Sequence, residues 1–254
     1  MARQFGAIPD DPDLAEADAR SRHVALLLGR VRSAPASIDL SHHLDTVLDQ
    51  ENSGSCVGHW FSNAIYLTGQ AQGRPVPRPS RRWSYAVARM REQRGVLIDD
   101  GCRPRDCVMG ALEHGIVAEE RFPWDVAKVN EPPPFDLDVA GSDALFTGFY
   151  KVDGDVPALL RLALASGHVP GFAMQVHEDF GDLGAFDLYD TPRGTLLGRH
   201  MVTVIGTRPG AFRILNSWGT DWADGGFGWL SERFVASAFV GDRYVVVSAP
   251  AGVR

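Results

Sequence analysis

The sequence predicts an α+β fold, and three observations predict it. Apolar residues recur at helical spacing through the first half of the chain, and short apolar runs between glycine and proline turns fill the second. A proline-rich break, NEPPPFD from Asn130 to Asp136, separates the two. Helices first and a mainly antiparallel sheet afterwards is the order of an α+β protein, not of alternating βα units.

Residues 1–36 read as an N-terminal extension. GAIPDDPDLAEAD is rich in Pro and Asp without a strong period, so a surface loop or arm is expected. A helical lobe is expected over 37–135 and a β-rich lobe over 136–254. The first predicted helix runs over 56–67, where Val57, Trp60, Phe61, Ala64 and Ile65 follow the spacing of one buried face. Ser53-Gly54-Ser55 supplies an N-cap candidate, which puts Cys56 in the first turn. Further helices are predicted over 82–93, over 104–114 with Pro104 in the first turn and Gly115 as the stop, and over 155–168. Strands are predicted over 171–176, 201–205, 212–215, 227–230 and 244–247.

Composition narrows the function. The 254 residues suffice for one large domain or two packed lobes, and the net charge of −7 gives no surface for nucleic-acid phosphates. Arg81, Arg82, Arg89, Arg91 and Arg94 read as a solvated helix face. No apolar stretch approaches the ~20 residues of a membrane helix, and no signal peptide is recognisable before the short apolar run Val24–Leu28. A cytoplasmic protein, or one released by a route not encoded in the chain, is expected. Three cysteines, Cys56, Cys102 and Cys107, are too few for a disulfide scaffold; ordinary thiols are expected, with a Cys102–Cys107 pair as the alternative. No metal or cofactor is implied.

Two segments carry chemistry. A thiol at a helix N-terminus meets unpaired N–H groups and a partial positive charge, which favour the nucleophilic thiolate; a small buried apolar residue is the alternative role for Cys56. The segment HMVTVIGTRPGAFRILNSWG reads as a hairpin. Centred on Arg208, it sets His200 directly across from Asn216, within hydrogen-bonding reach, and an amide there would hold the imidazole's tautomer and ring angle. A surface histidine and a turn asparagine are the alternative. His59, one turn after Cys56, reads as a helix-packing residue.

DQENSGSCVGHWFSNA (49–64) resembles the papain family's signature around its active cysteine: Gln50 stands six residues before the Cys, and Gly54-Ser55-Cys56 opens the helix. RHMVTVIGTRPGAFRILNSWGTDWADGGFGWL (199–230) resembles the family's later signatures, with His200, Asn216, Ser217, Trp218, Gly219 and Trp222 matching. DDGCRPRDCVMGALEHGIVAEERFPWD, which includes Gly101, looks like the segment running from the non-primed cleft wall. The resemblance covers nearly the whole chain in order. Ser53 and Val57 depart from it, standing where a disulfide cysteine and a tryptophan are common.

The resemblance implies a two-lobe fold, one lobe helical and one an antiparallel β-barrel-like sheet, with the cleft between them. It implies a cysteine-type endopeptidase working through a thioester acyl-enzyme. Cys56 is then the nucleophile, His200 the base and Asn216 its orienter; Gln50 and the Cys56 N–H stabilise the oxyanion. Trp218 shields the His–Asn bond, Trp222 packs in the core, and Met201 and Gly101 line the substrate cleft. The implied partner is a protein or peptide substrate. A cell-wall peptide or other amide hydrolase with the same triad, and a non-catalytic binding or structural protein on this fold, remain as alternatives.

Overall fold

The computed structural model describes residues 4–11, 21–23, 28, 31, 33–93, 96–134, 137 and 144–250. Four longer helices stand in chain order: α1 Cys56–Ala71, α2 Arg81–Gln93, α3 Pro104–His114 and α4 Val156–Ala165. A one-turn helix, α5, covers Glu232–Val235. The strands are β1 Ser21–His23, β2 Ile38–Asp39, β3 Ala144–Lys151, β4 Pro170–His177, β5 Leu188–Tyr189, β6 Leu196–Arg208, β7 Ala211–Leu215, β8 Phe227–Ser231 and β9 Val240–Pro250. They form one sheet in the order β1-β3-β9-β4-β6-β7-β8-β5, with β2 on β6. Its pairs are antiparallel except β1–β3 and β5–β8. This is the α+β arrangement expected.

Helix α3 has the predicted bounds, because Pro104 opens it and Gly115, at φ 74, closes it in a conformation that disfavours any side chain. Strand β3 was not foreseen. It follows the proline-rich break in the chain, and its run ALFTGFYK holds a glycine where the register shifts against β9.

The expected solvated arginine face is corrected at two positions. Arg89 is fully buried and Arg82 nearly so. The Arg89 guanidinium donates to Val129 O at 2.5 Å, Ile98 O at 3.1 Å and Asn130 Oδ1 at 3.0 Å, and lies over the Tyr85 ring. A guanidinium whose donors all meet carbonyls can be buried, and here it ties the 126–131 segment to α2. Arg94 lies outside the described residues.

Two main cores flank the sheet. One fills the space between α4 and the strands around Phe172, Phe180, Trp222 and Phe234. The other joins α1 and α3 to the sheet through Trp60, Phe61, Val108, Met201 and Tyr244. Helix α1 reaches the sheet because β4 presents Gly171 to Trp60: a Cβ there would stand 1.9 Å from the Trp60 Nε1. This contact points the N-terminus of α1 at β6.

Candidate active site

The site forms where the start of α1 meets β6 and the segment after β7. Ser55 is the N-cap of α1, yet its side chain makes no capping bond. Its hydroxyl instead contacts Ser53 Oγ at 2.6 Å and His59 Nδ1 at 3.1 Å. The N–H groups of the first turn are therefore not taken up by that side chain.

His200, on β6, and Asn216 meet at 2.7 Å, Nε2 to Oδ1, and both are fully buried. The route differs from the predicted one. The hairpin turns at Pro209-Gly210, with Arg208 opposite Ala211, and its ladder pairs Thr203 with Leu215 after a bulge between Val204 and Gly206. Extended to His200, that register points at Trp218, whose ring lies 4.8 Å from the imidazole, centroid to centroid. Asn216 reaches His200 because the chain leaves β7 at Leu215 and the Asn216 N–H turns to Gly226 O at 2.9 Å. Two N–H groups converge on Asn216 Oδ1, from His200 Nε2 and from the Ser217 backbone at 2.8 Å. That convergence identifies the oxygen, makes Nε2 the protonated nitrogen in the neutral ring, and assigns Nδ1 the lone pair.

Gln50 is fully buried beside them. Its Oε1 accepts from Ser217 Oγ at 2.6 Å, and its Nε2 donates to Ser53 O at 2.7 Å and Gln4 O at 3.2 Å. The backbone Gln50 N–H donates to Ser217 O at 2.8 Å. Glu51, at φ 57, holds the tight turn that aims this amide. Ser217 therefore fastens both amides, Gln50 through its hydroxyl and Asn216 through its N–H. Sequence reading matched Ser217 to a motif but gave it no role, since a hydroxyl's partner 167 positions away is invisible in one chain.

Of the arm expected on the surface, residues 1–3 and most of 12–32, with the run Val24–Leu28 apart from Leu28, lie outside the described residues; residues 4–10 form a strap across the site, with Gly6 and Ala7 buried. Ala7 N–H donates to Arg199 O at 3.2 Å and Ile8 N–H to Cys102 O at 3.1 Å, while Gly6 O accepts from Cys102 N–H at 2.9 Å. Phe5 sets its edge toward His200 and Trp218, 6.3 Å and 6.0 Å between centroids. Only glycines let the backbones this close. A Cβ on Gly6 would stand 1.7 Å from Gly54 O, and one on Gly101, which sits at φ +98, would stand 2.3 Å from Gly6 O. The strap carries no motif; its small residues read as a loop because what they fit is a surface built by distant positions.

The strap also decides the state of the thiol. Cys56 is fully buried, and burial pushes its pKa up to about 11 although the N–H groups of Met201 and Gly6 face the sulfur. The helix terminus was expected to lower it; desolvation wins while the strap is seated. With the strap down, the Gly6 N–H faces Cys56 Sγ, so the strap covers the thiol. Cys102 and Cys107 are also free, buried thiols whose pKa values burial raises.

Met201 is buried in one cluster with Ala7, Cys56 and Cys102. The Arg199 side chain pairs with Asp242 at 2.6 Å, so its charge is neutralised beside β9. Trp222 packs in the core, its Nε1 donating to Phe180 O at 3.3 Å. Among the described residues no helix is long and apolar enough to cross a membrane.

No family model matches the chain. It is 24% identical over 263 residues to an uncharacterised peptidase C1-like protein of Acanthamoeba polyphaga mimivirus, covering 93% of this chain and 84% of that one. Xylellain, a cysteine protease from Xylella fastidiosa, superposes with a TM-score of 0.78 at 22% identity over 95% of both chains. The fold is papain-like. The procathepsin B of Trypanosoma congolense shares it, with a TM-score of 0.74 at 15% identity over 97% of this chain and 86% of that one. So does bromelain from Ananas comosus, at 0.67 and 18% over 84% and 99%. In this papain-like fold the helical elements α1–α3 and the sheet meet where Cys56 and His200 stand.

Proposed function

We propose that this chain is a cysteine-type endopeptidase acting on protein or peptide substrates, with Cys56 as nucleophile and His200 as its base. One observation carries the reading: Asn216 Oδ1 takes the Nε2–H of a buried His200, which turns the lone pair of Nδ1 to acid–base work beside the thiol. Nδ1 accepts the thiol proton as Cys56 Sγ attacks the substrate carbonyl carbon. The C–O π pair moves to oxygen, where Gln50 Nε2 and the Cys56 N–H stabilise it. The 3.2 Å bond from Gln50 to the Gln4 carbonyl supports that assignment, since the amide already holds a peptide oxygen. Collapse of the tetrahedral adduct breaks the C–N bond, and protonated Nδ1 gives its proton to the leaving amine. Water, deprotonated by the same nitrogen, then hydrolyses the thioester and frees the acid and the thiol.

Trp218, its ring tilted against the imidazole at 4.8 Å, keeps water from the His200–Asn216 bond. Met201 narrows the cleft beside Cys56. Ala7 of the strap shares that buried cluster, which supports a preference for small residues there. The strap has to lift before a substrate can enter.

The test is digestion of a protein library under reducing conditions by Gly6→Ala, in which the strap cannot seat, beside Gly6→Ala/Cys56→Ala. Cleavage by the first and none by the second is expected. An opened protein with no Cys56-dependent cleavage would overturn the reading in favour of a binding protein on this fold, and activity on purified peptidoglycan alone would move the substrate to cell-wall peptides.

A further inference from the structure

The strap is fastened at one end by an acid cluster. Asp10 lies two residues beyond the last of these backbone bonds, that of Ile8. Its Oδ2 meets the Tyr244 hydroxyl at 2.6 Å and its Oδ1 accepts from the Arg105 backbone N–H at 3.1 Å. Asp242 approaches from β9 and accepts from the Asp10 backbone N–H. Two carboxyl groups thus share a mostly buried space. The charged groups around them are Asp106 and Arg105 of α3, Arg199 of β6, which pairs with Asp242, and Lys151 and Arg243 beside Asp242.

We propose that Asp10 is a proton-operated latch: protonated, it holds the strap over the site, and ionised, it lets the strap lift. The proposal rests on reading the covered site as the active one, but the latch itself is a property of the strap. Protonation keeps both contacts. A neutral carboxyl still accepts from Arg105 N–H through its carbonyl oxygen, and its O–H donates to Tyr244, whose hydroxyl turns from donor to acceptor. Ionisation keeps the contacts too but adds a buried charge facing Asp242, which already pairs with Arg199 and also feels the charges of Lys151 and Arg243.

The sign follows from the seated state. Burial first, then the charge of Asp242, raises the Asp10 pKa to about 6 against the two hydrogen bonds that lower it. A lifted strap returns Asp10 to water and to about 4. The seated form therefore binds the proton more tightly. The latch is complete below about pH 4 and is lost as pH rises through about 6. The opening equilibrium should rise by up to about a hundredfold from pH 4 to pH 7. The device opens toward neutral pH.

Hydrogen exchange of the Ala7 and Ile8 amides reads the strap directly, without turnover. It should be followed from pH 4.5 to 7.5 in full-length Cys56→Ala, corrected for intrinsic exchange, with the Val204 and Ile205 amides of β6 as the folding control. Protection at Ala7 and Ile8 is expected to fall about tenfold or more between pH 4.5 and about 6 and to level off above it, while the β6 amides hold. Asp10→Asn should remove the step. Tyr244→Phe should lower protection at every pH and keep the step. Constant or rising protection toward pH 7.5, or a step that survives in Asp10→Asn, would overturn the latch. Because Cys56 is absent, the result stands apart from peptidase activity. A clear step in a chain that cleaves nothing keeps the latch and sinks the enzyme reading, and a peptidase without the step does the reverse.

Discussion

His59 and His200 are both fully buried, both near the start of α1, and differ in what holds them. His59 is satisfied locally: Nδ1 lies 3.1 Å from Ser55 O and Oγ, and Nε2 is 3.2 Å from Asp49 O. Burial, then the nearby Arg81 charge, lowers its pKa to about 3, so it stays neutral. A neutral ring that donates from Nε2 to Asp49 O and accepts at Nδ1 from the Ser55 hydroxyl has both nitrogens spent. His200 instead meets a side-chain amide, Nε2 to Asn216 Oδ1 at 2.7 Å. Burial and residue type are thus equal in the two; the side-chain amide on His200 is what sets the packing histidine apart from the proposed base.

The largest test of that contrast removes each ring. His200→Ala and Cys56→Ala should each abolish turnover with the melting temperature little changed. His59→Ala should keep the chemistry and cost about 2–4 kcal/mol of stability, through a cavity, the Asp49 carbonyl left without a donor and the Ser55 hydroxyl left without an acceptor. Thermal melts beside initial rates decide it, and a folded His59→Ala without activity would break the comparison.

Next in size is the amide on the other side of the thiol. Gln50→Ala should lower the rate about a hundredfold to a thousandfold, mostly in kcat, as expected for one oxyanion donor. Ser217→Ala should cost less and be partly masked in Gln50→Ala, because the hydroxyl acts through that amide; non-additive losses in the double variant check this.

The strap gives a gain instead of a loss. In the native chain all three thiols are buried, so alkylation at neutral pH should be slow throughout. Gly6→Ala, blocked by Gly54 O, should speed modification of Cys56 by about tenfold or more and leave Cys102 and Cys107 slow. Peptide mapping after a short iodoacetamide pulse reads it; equal acceleration at all three would mean general loosening, not removal of a cover.

The smallest expected effect is in specificity. Met201→Ala should widen acceptance toward Leu and Phe by on the order of tenfold, the usual weight of a filled apolar pocket. A substrate library varied at that position, run on both proteins in the Gly6→Ala background, checks it. An unchanged profile would leave Met201 as core packing alone.

Much of this was legible locally. The bounds of α3 follow from Pro104 and Gly115, and α1 from one apolar face. Cys56, His200, Asn216 and Gln50 stood out as residues whose spacing resembles a known constellation. The hairpin, however, was misread by its register: a bulge before Gly206 and the chain's departure from β7 at Leu215 bring Asn216 to His200 by a route no alternation pattern encodes. The helix-terminus argument for a depressed Cys56 pKa failed for a similar reason. It counts the dipole of one element and cannot count water removed by residues 4–8.

Side-chain identity and periodicity by themselves determined the α+β order and the helix that opens at Cys56, because those depend on neighbours within a few positions; Gln50, Cys56, His200 and Asn216 were singled out as a set only by the resemblance. Only the tertiary structure decided which nitrogen of His200 is engaged, that Ser217 fastens both amides, that Arg199 is neutralised by Asp242 and that Gly6 lies on the thiol. Each of these is a contact between segments far apart in the chain, and its energy depends on burial and distance, which a linear sequence does not contain.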